Sequence, residues 1–133
     1  MNAAIAALFL ALFTADEVDG TWKPVEAEMG GMKLPAELMK DWSLELEKGK
    51  YVLKGAESPD QGTYAIDPKK KPRTMDILGT EGPNKGKSFP CIYELDGDTL
   101  RICYDLAGKK RPSEFKTAKQ TKEYLVTYKR EKK

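Results

Sequence analysis

The chain has 133 residues, 40% hydrophobic and 33% charged, with a formal net charge of +2. That is one domain's length, enough to bury a core without metals or disulfides, and the near balance of charge gives no basis for nucleic-acid binding. It contains 0 histidines, which excludes His-ligated zinc, His-ligated haem and a Ser-His-Asp triad.

Residues 1–15 carry no charged side chain, and Ala3 to Ala15 form an apolar stretch. It is too short to span a bilayer as a helix, so no stable membrane span is expected, yet it is long enough for the h-region of a signal peptide. The stretch reads as an export signal, placing the protein in the periplasm or outside the cell. Two features stand against this: no Lys or Arg precedes the stretch, and Phe13 fits poorly with a small-x-small cleavage pattern ending at Ala15. The alternative is a short N-terminal helix capping a barrel mouth in a cytoplasmic protein. Residues 16–133 form the folded domain.

From Trp22 onward, short runs of alternating apolar and polar residues are broken by Gly, Pro and Asp turns. Trp22 to Met29 is the first strand, with Pro24 forcing a bulge or an edge position because it has no N–H for a ladder. Gly30-Gly31 ends it, and Pro35 to Lys40 starts like a short helix with Pro in its first turn. Trp42 to Glu47 alternates with period two, turns at Lys48-Gly49 and returns as Lys50 to Lys54. Further strands are Thr63 to Asp67, Arg73 to Leu78, Phe89 to Leu95, Thr99 to Asp105 and Lys122 to Arg130. The Pro-, Gly- and Lys-rich segments 67–72 and 81–87 have loop composition. The pattern predicts an all-β fold: an eight-stranded antiparallel up-and-down barrel with a short helix between its first two strands, in which the first and last strands meet. Trp22 and Arg130 then face each other at one end, guanidinium on indole.

Several runs carry a resemblance. Gly20-Thr21-Trp22-Lys23-Pro24-Val25, Gly62-Thr63-Tyr64-Ala65-Ile66-Asp67-Pro68, the segment Ile92 to Tyr104 and Arg111-Pro112-Ser113-Glu114-Phe115 resemble, in order across residues 18–130, a lipocalin-like domain family of uncharacterised function that is abundant in planctomycete bacteria. The resemblance implies a calycin-type barrel, often exported, with no established activity. It also fits the wider lipocalin habit of a Gly-x-Trp on the first strand and an Arg on the last, here Gly20, Trp22 and Arg130. The chain is shorter than typical lipocalins, so its cavity is expected to be smaller.

Cys91 and Cys103 flank the Asp96-Gly97-Asp98 turn. If Leu95 pairs with Leu100, then Tyr93 pairs with Ile102 and Cys91 with Tyr104, which puts Cys103 on the outer face and the two sulfurs on opposite sides of the sheet. A buried, free Cys91 is the expected state, although a three-residue loop would pair 91 with 103 directly. Two cysteines so placed make no metal site. The Asp-Gly-Asp turn lacks calcium-loop spacing, since Leu100 and Ala107 stand where ligands are needed. No glycine-rich phosphate loop follows a strand into a helix, so neither metal nor cofactor is expected.

The positive signal is aromatic. All six tyrosines fall on the inward phase, with Trp22, Trp42 and a set of Leu, Ile, Met and Val. A buried phenol needs a partner, so six of them predict a partly polar interior. Trp42, Tyr51, Tyr64, Tyr93, Tyr104 and Tyr124 are the candidate ligand-binding residues for a small hydrophobic or amphipathic molecule. Arg111 is the cation to add if the ligand is anionic, or else a clamp on a nearby carboxylate, and Phe115 plugs the barrel side. Three readings stay open: a non-enzymatic small-molecule binder; a barrel filled by its own rings that works through its surface as an envelope interaction or inhibitor module; and a hydrolase built on two of Asp67, Asp76 and Glu94.

Overall fold

The structure, a computed structural model, describes residues 17–55 and 58–132. The apolar stretch 3–15, read above as an export signal or capping helix, lies outside the described residues. Strands run in the order β1 (Gly20–Met29), β2 (Met32–Lys33), β3 (Ser43–Glu47), β4 (Lys50–Lys54), β5 (Asp60–Asp67), β6 (Arg73–Glu81), β7 (Ser88–Asp96), β8 (Thr99–Asp105) and β9 (Glu123–Arg130), with one short helix, α1 (Ala36–Met39), after β2. Every neighbouring pair is antiparallel, and β9 pairs back onto β1. Eight strands therefore close a barrel, and β2 is an extra strand folded onto the far end of β1. Among the described residues no helix is long and apolar enough to cross a membrane.

Alternation dictates which face each residue takes. Leu44 and Leu46 on β3, Met75 on β6, Cys91 and Tyr93 on β7, Leu100 and Ile102 on β8, and Val126 and Tyr128 on β9 are all buried in one core. Two tight turns, Lys48-Gly49 and Gly97-Asp98, fix the register: Glu47 pairs with Lys50, and Asp96 with Thr99. The second of these aligns Cys91 with Tyr104 and Ile92 with Cys103, so the sulfurs face opposite ways and both cysteines are free.

The observed elements differ from the expected ones mainly at their ends. The ladder of β1 slips between Pro24 and Glu26, a bulge at the position where Pro cannot donate. On its other edge, β1 pairs with β3 over only three residues, Gly20 to Trp22. Lys23 then bridges the widening seam, donating to the carbonyls of Trp42 at 2.6 Å and Lys40 at 3.4 Å. Strand β5 begins at Asp60 rather than Thr63, and β6 runs on to Glu81, because the two pair from Gln61↔Glu81 down to Asp67↔Thr74. Met32–Lys33, which the sequence pattern assigns to no element, pairs with the end of β1 as β2, and Leu34 N–H also returns to the Ala27 carbonyl at 2.9 Å.

Segment 106–122, between β8 and β9, wraps the outer wall. Arg101 lies 4.9 Å from the centre of the Phe115 ring, so Phe115 packs outside the barrel beneath a guanidinium and does not enter it. Cys103 donates to the Lys116 carbonyl and is fully buried under this segment despite its outward phase. Burial is the main reason its thiol is pushed up to about 11. Thr117 ties the segment to Glu28 and to the Gly31 N–H.

Asp105 anchors the start of this segment. Its carboxylate accepts the backbone N–H groups of Ala107, Lys109 and Lys110 at 3.1, 2.9 and 2.7 Å. Burial alone would raise its pKa, but the N–H donors of Lys110, Lys109 and Ala107 outweigh it and hold the carboxyl below its ordinary value. A folded-state pKa lowered in this way gives stability that is complete above the ordinary carboxyl range and is lost as pH falls through the depressed value. Asp105→Asn is expected to lower unfolding free energy by about 1–3 kcal/mol at pH 7. In urea titrations the gap between variant and parent should narrow as pH drops below about 4; a gap of constant size would count against this role.

Candidate functional site

Chain direction gives the barrel two unlike ends. At one end lie the start of β1, the β3–β4, β5–β6 and β7–β8 turns and the close of β9. This end is plugged. Trp22 is fully buried, and its indole N–H donates to the Val18 carbonyl at 3.0 Å. The Arg130 guanidinium sits 4.4 Å from the indole centre, donates to Asp98 at 3.1 Å and also donates to the Asp19 carbonyl. Gly20, with φ of 147°, is required here: a Cβ would stand 2.8 Å from an Arg130 nitrogen. Burying an indole removes about 150–250 Å² from water, worth up to about 4–6 kcal/mol, against about 0.5–2 kcal/mol for the cation–π contact. Burial thus holds the plug, and the arginine seals it.

The other end encloses a cavity of about 380 Å³. Its wall is mostly apolar and aromatic, and it includes Trp42, Tyr51, Tyr64, Tyr104 and Tyr124, five of the residues the sequence singled out. Tyr93 is not among them. It lies deeper, fully buried near the plug, and its hydroxyl is the one buried side-chain polar atom without a hydrogen-bond partner among the described residues. Arg111 is likewise outside the cavity. It donates to the carbonyls of Met75 at 3.3 Å and Cys91 at 2.8 Å and to Asp76 at 2.7 Å, so it clamps β6 to β7 from outside, beside Pro90, which has no N–H.

The cavity wall holds two polar devices besides the Tyr64 hydroxyl, which donates to Asp19 at 3.1 Å. The Tyr104 and Tyr128 hydroxyls bond each other at 2.7 Å, and Tyr104 stacks on Tyr124 with ring centres 5.4 Å apart. Burial pushes all three phenols up, Tyr124 to about 12, so they remain protonated donors at neutral pH. The second device was missed from sequence. Asp60, only 7% exposed, lines the cavity and accepts from Tyr51 Oη at 3.3 Å and Asn84 Nδ2 at 2.8 Å. It shares the inward phase of Gly62 and Tyr64, but a strand begun at Thr63 left it in a loop.

Local backbone explains how these groups meet. Gly62 lies opposite Tyr51, and a Cβ there would stand 2.0 Å from the Leu78 carbonyl oxygen and 2.6 Å from the Tyr51 ring, so the missing side chain leaves room for the ring whose hydroxyl reaches Asp60. Loop 82–87 folds back on β6 through Gly79 N–H to the Lys87 carbonyl at 2.9 Å and Gly86 N–H to the Gly79 carbonyl at 2.8 Å. That places Asn84 against Asp60 and exposed Lys87 at the rim. Burial, then the charge of Asp60, raises the Tyr51 phenol.

The three acids considered for hydrolysis each have a partner of their own. Asp76 is held by Arg111, Glu94 by Arg101, and Asp67 accepts the Lys69 N–H at 3.0 Å; none lines the cavity. Among the described residues no group of three acids or cysteines is placed to hold a metal ion. Comparison with protein-family models, curated proteins and solved structures found no match to this chain.

The unpartnered Tyr93 hydroxyl gives a direct test. Leaving a buried hydroxyl unmet costs about 1–3 kcal/mol, and removing it leaves the ring's packing in place. Tyr93→Phe is expected to be neutral or to raise stability by up to about 1 kcal/mol, read as an unchanged or higher urea midpoint. A drop of about 1 kcal/mol or more would show that the hydroxyl has a partner.

Proposed function

We propose that this chain is a lipocalin-like, calycin-type barrel that holds a small hydrophobic or amphipathic molecule in the open half of its lumen, without catalysing its conversion. The observation that carries the reading is the cavity of about 380 Å³ walled by apolar and aromatic side chains. That volume lies at the small end of the range for ligand pockets, about 300–1,000 Å³, in keeping with a short chain. A lumen that its own rings had filled would leave no such space.

The polar devices suit an amphipathic guest. The phenol pair and the Asp60 cluster supply a few fixed groups on an otherwise apolar wall, the composition that orients a ligand while burial supplies affinity. The Gly20-x-Trp22 start and the Arg130 finish, stacked at the plugged end, support placing the barrel with lipocalin-like proteins. The apolar stretch 3–15 supports export.

Displacement of an environment-sensitive apolar dye tests the reading. Saturable binding is expected to the parent protein, with loss of at least about tenfold in affinity, or about 1.4 kcal/mol, in Ile77→Trp, which places a larger ring in the cavity wall. Absence of saturable binding to a protein whose circular dichroism and melting are intact would refute it, as would equal binding by Ile77→Trp.

A further inference from the structure

The lumen holds a buried acid that no cation among the described residues pairs with. Asp60 is 7% exposed, and its two oxygens accept from a phenol and a carboxamide, both neutral donors. No Lys or Arg lies within ion-pair distance of it among the described residues. A carboxylate has about four acceptor sites, so roughly half of its capacity is unused. Buried charges are ordinarily paired, because an uncompensated one loses its hydration without return.

The surroundings of Asp60 favour one kind of return. Trp42, Tyr51, Tyr64, Tyr104 and Tyr124 line the same cavity, and aromatic rings attract cations while repelling anions placed over their faces. The raised Tyr51 phenol keeps its proton and so cannot add a second negative charge there. Lys87 is the one cation on the cavity wall among the described residues, but it is exposed at the rim. Its ammonium keeps its water and gains little from an anionic guest, whereas Asp60 gains a counter-ion from a cationic one.

We propose that the lumen selects a cationic amphiphile, an aryl or alkyl amine whose ammonium is received by Asp60 and whose apolar body fills the aromatic cavity. This rests on the lumen-binding reading above. Tyr51 and Asn84 are positioning residues: they hold the carboxylate by one oxygen each and leave the remaining lone pairs to the guest.

Three isosteric probes separate the possibilities: 1-naphthylmethylamine, 1-naphthalenemethanol and 1-naphthoate, titrated against the full chain by fluorescence at neutral pH. The amine is expected to bind at least tenfold more tightly than the alcohol, and the carboxylate more weakly than either. Asp60→Asn should bring the amine down to the alcohol's affinity while the alcohol is unchanged, and Lys87→Met should leave the amine's advantage intact or larger. Equal amine and alcohol affinities in the parent protein, or tightest binding by the carboxylate, would overturn amine selection while leaving the lumen reading standing. Absence of binding by all three, and by the apolar dye, would overturn both. The comparison within the parent protein decides the matter even if Asp60→Asn does not fold.

Discussion

A sheet of short strands has two raw edges, and the rest of this structure depends on joining them. Strands β1 and β9 pair along seven residues of each, from Trp22↔Arg130 to Met29↔Tyr124, which satisfies backbone groups that an open sheet would present to other chains. The indole and guanidinium sit at the first rung of that seam, where one is fully buried and the other ties the seam to Asp98 and to the Asp19 carbonyl. Because the plug is made of residues on the closing strands, sealing the end and closing the sheet are one event. The opposite seam, β1 to β3, has three rungs, and there a lysine donating to two carbonyls replaces the missing ladder.

Closing one end leaves the polar requirements of the interior to be met at the other. Eight strands give an interior that side chains can just fill, yet here Trp22 and Tyr93 fill the plugged half while Tyr51, Tyr104 and Tyr124 stand around open space. Hydroxyls there bond to each other (Tyr104 with Tyr128), to Asp60 (Tyr51) or to Asp19 (Tyr64), and the buried Tyr93 hydroxyl, which has no partner among the described residues, lies below the cavity. The same interior is therefore a packed core in its lower half and a wall with fixed polar groups in its upper half.

Much of this was legible in the chain. Period-two alternation located eight strands and the inward phase of every tyrosine, because a one-residue slip would turn the whole set to water. The two-residue loop at Gly97-Asp98 likewise fixed the positions of both cysteines. Alternation says nothing, however, about depth along the barrel axis, so Tyr93 and Tyr104 looked equivalent although only one borders the cavity. Asp60 escaped because Gln61 and Gly62 do not read as strand residues; the ladder to β6 extends there through a register shift. Arg111 and Phe115 belong to a segment whose path over the outer wall is set by Asp105, Cys103 and Thr117, contacts between residues whose pairing no local pattern encodes.

Antiparallel pairing of the first strand with the last also decides how this barrel can be tethered. Gly20 begins β1 and Arg130 ends β9 on the same plugged side, so the chain enters and leaves the barrel at adjacent points behind Trp22. A support, a fusion partner or a neighbouring domain joined at position 18 or 131 hangs from the floor of the cup. The rim formed by Lys87 and loop 82–87 then points away from the anchor, free to meet whatever diffuses past.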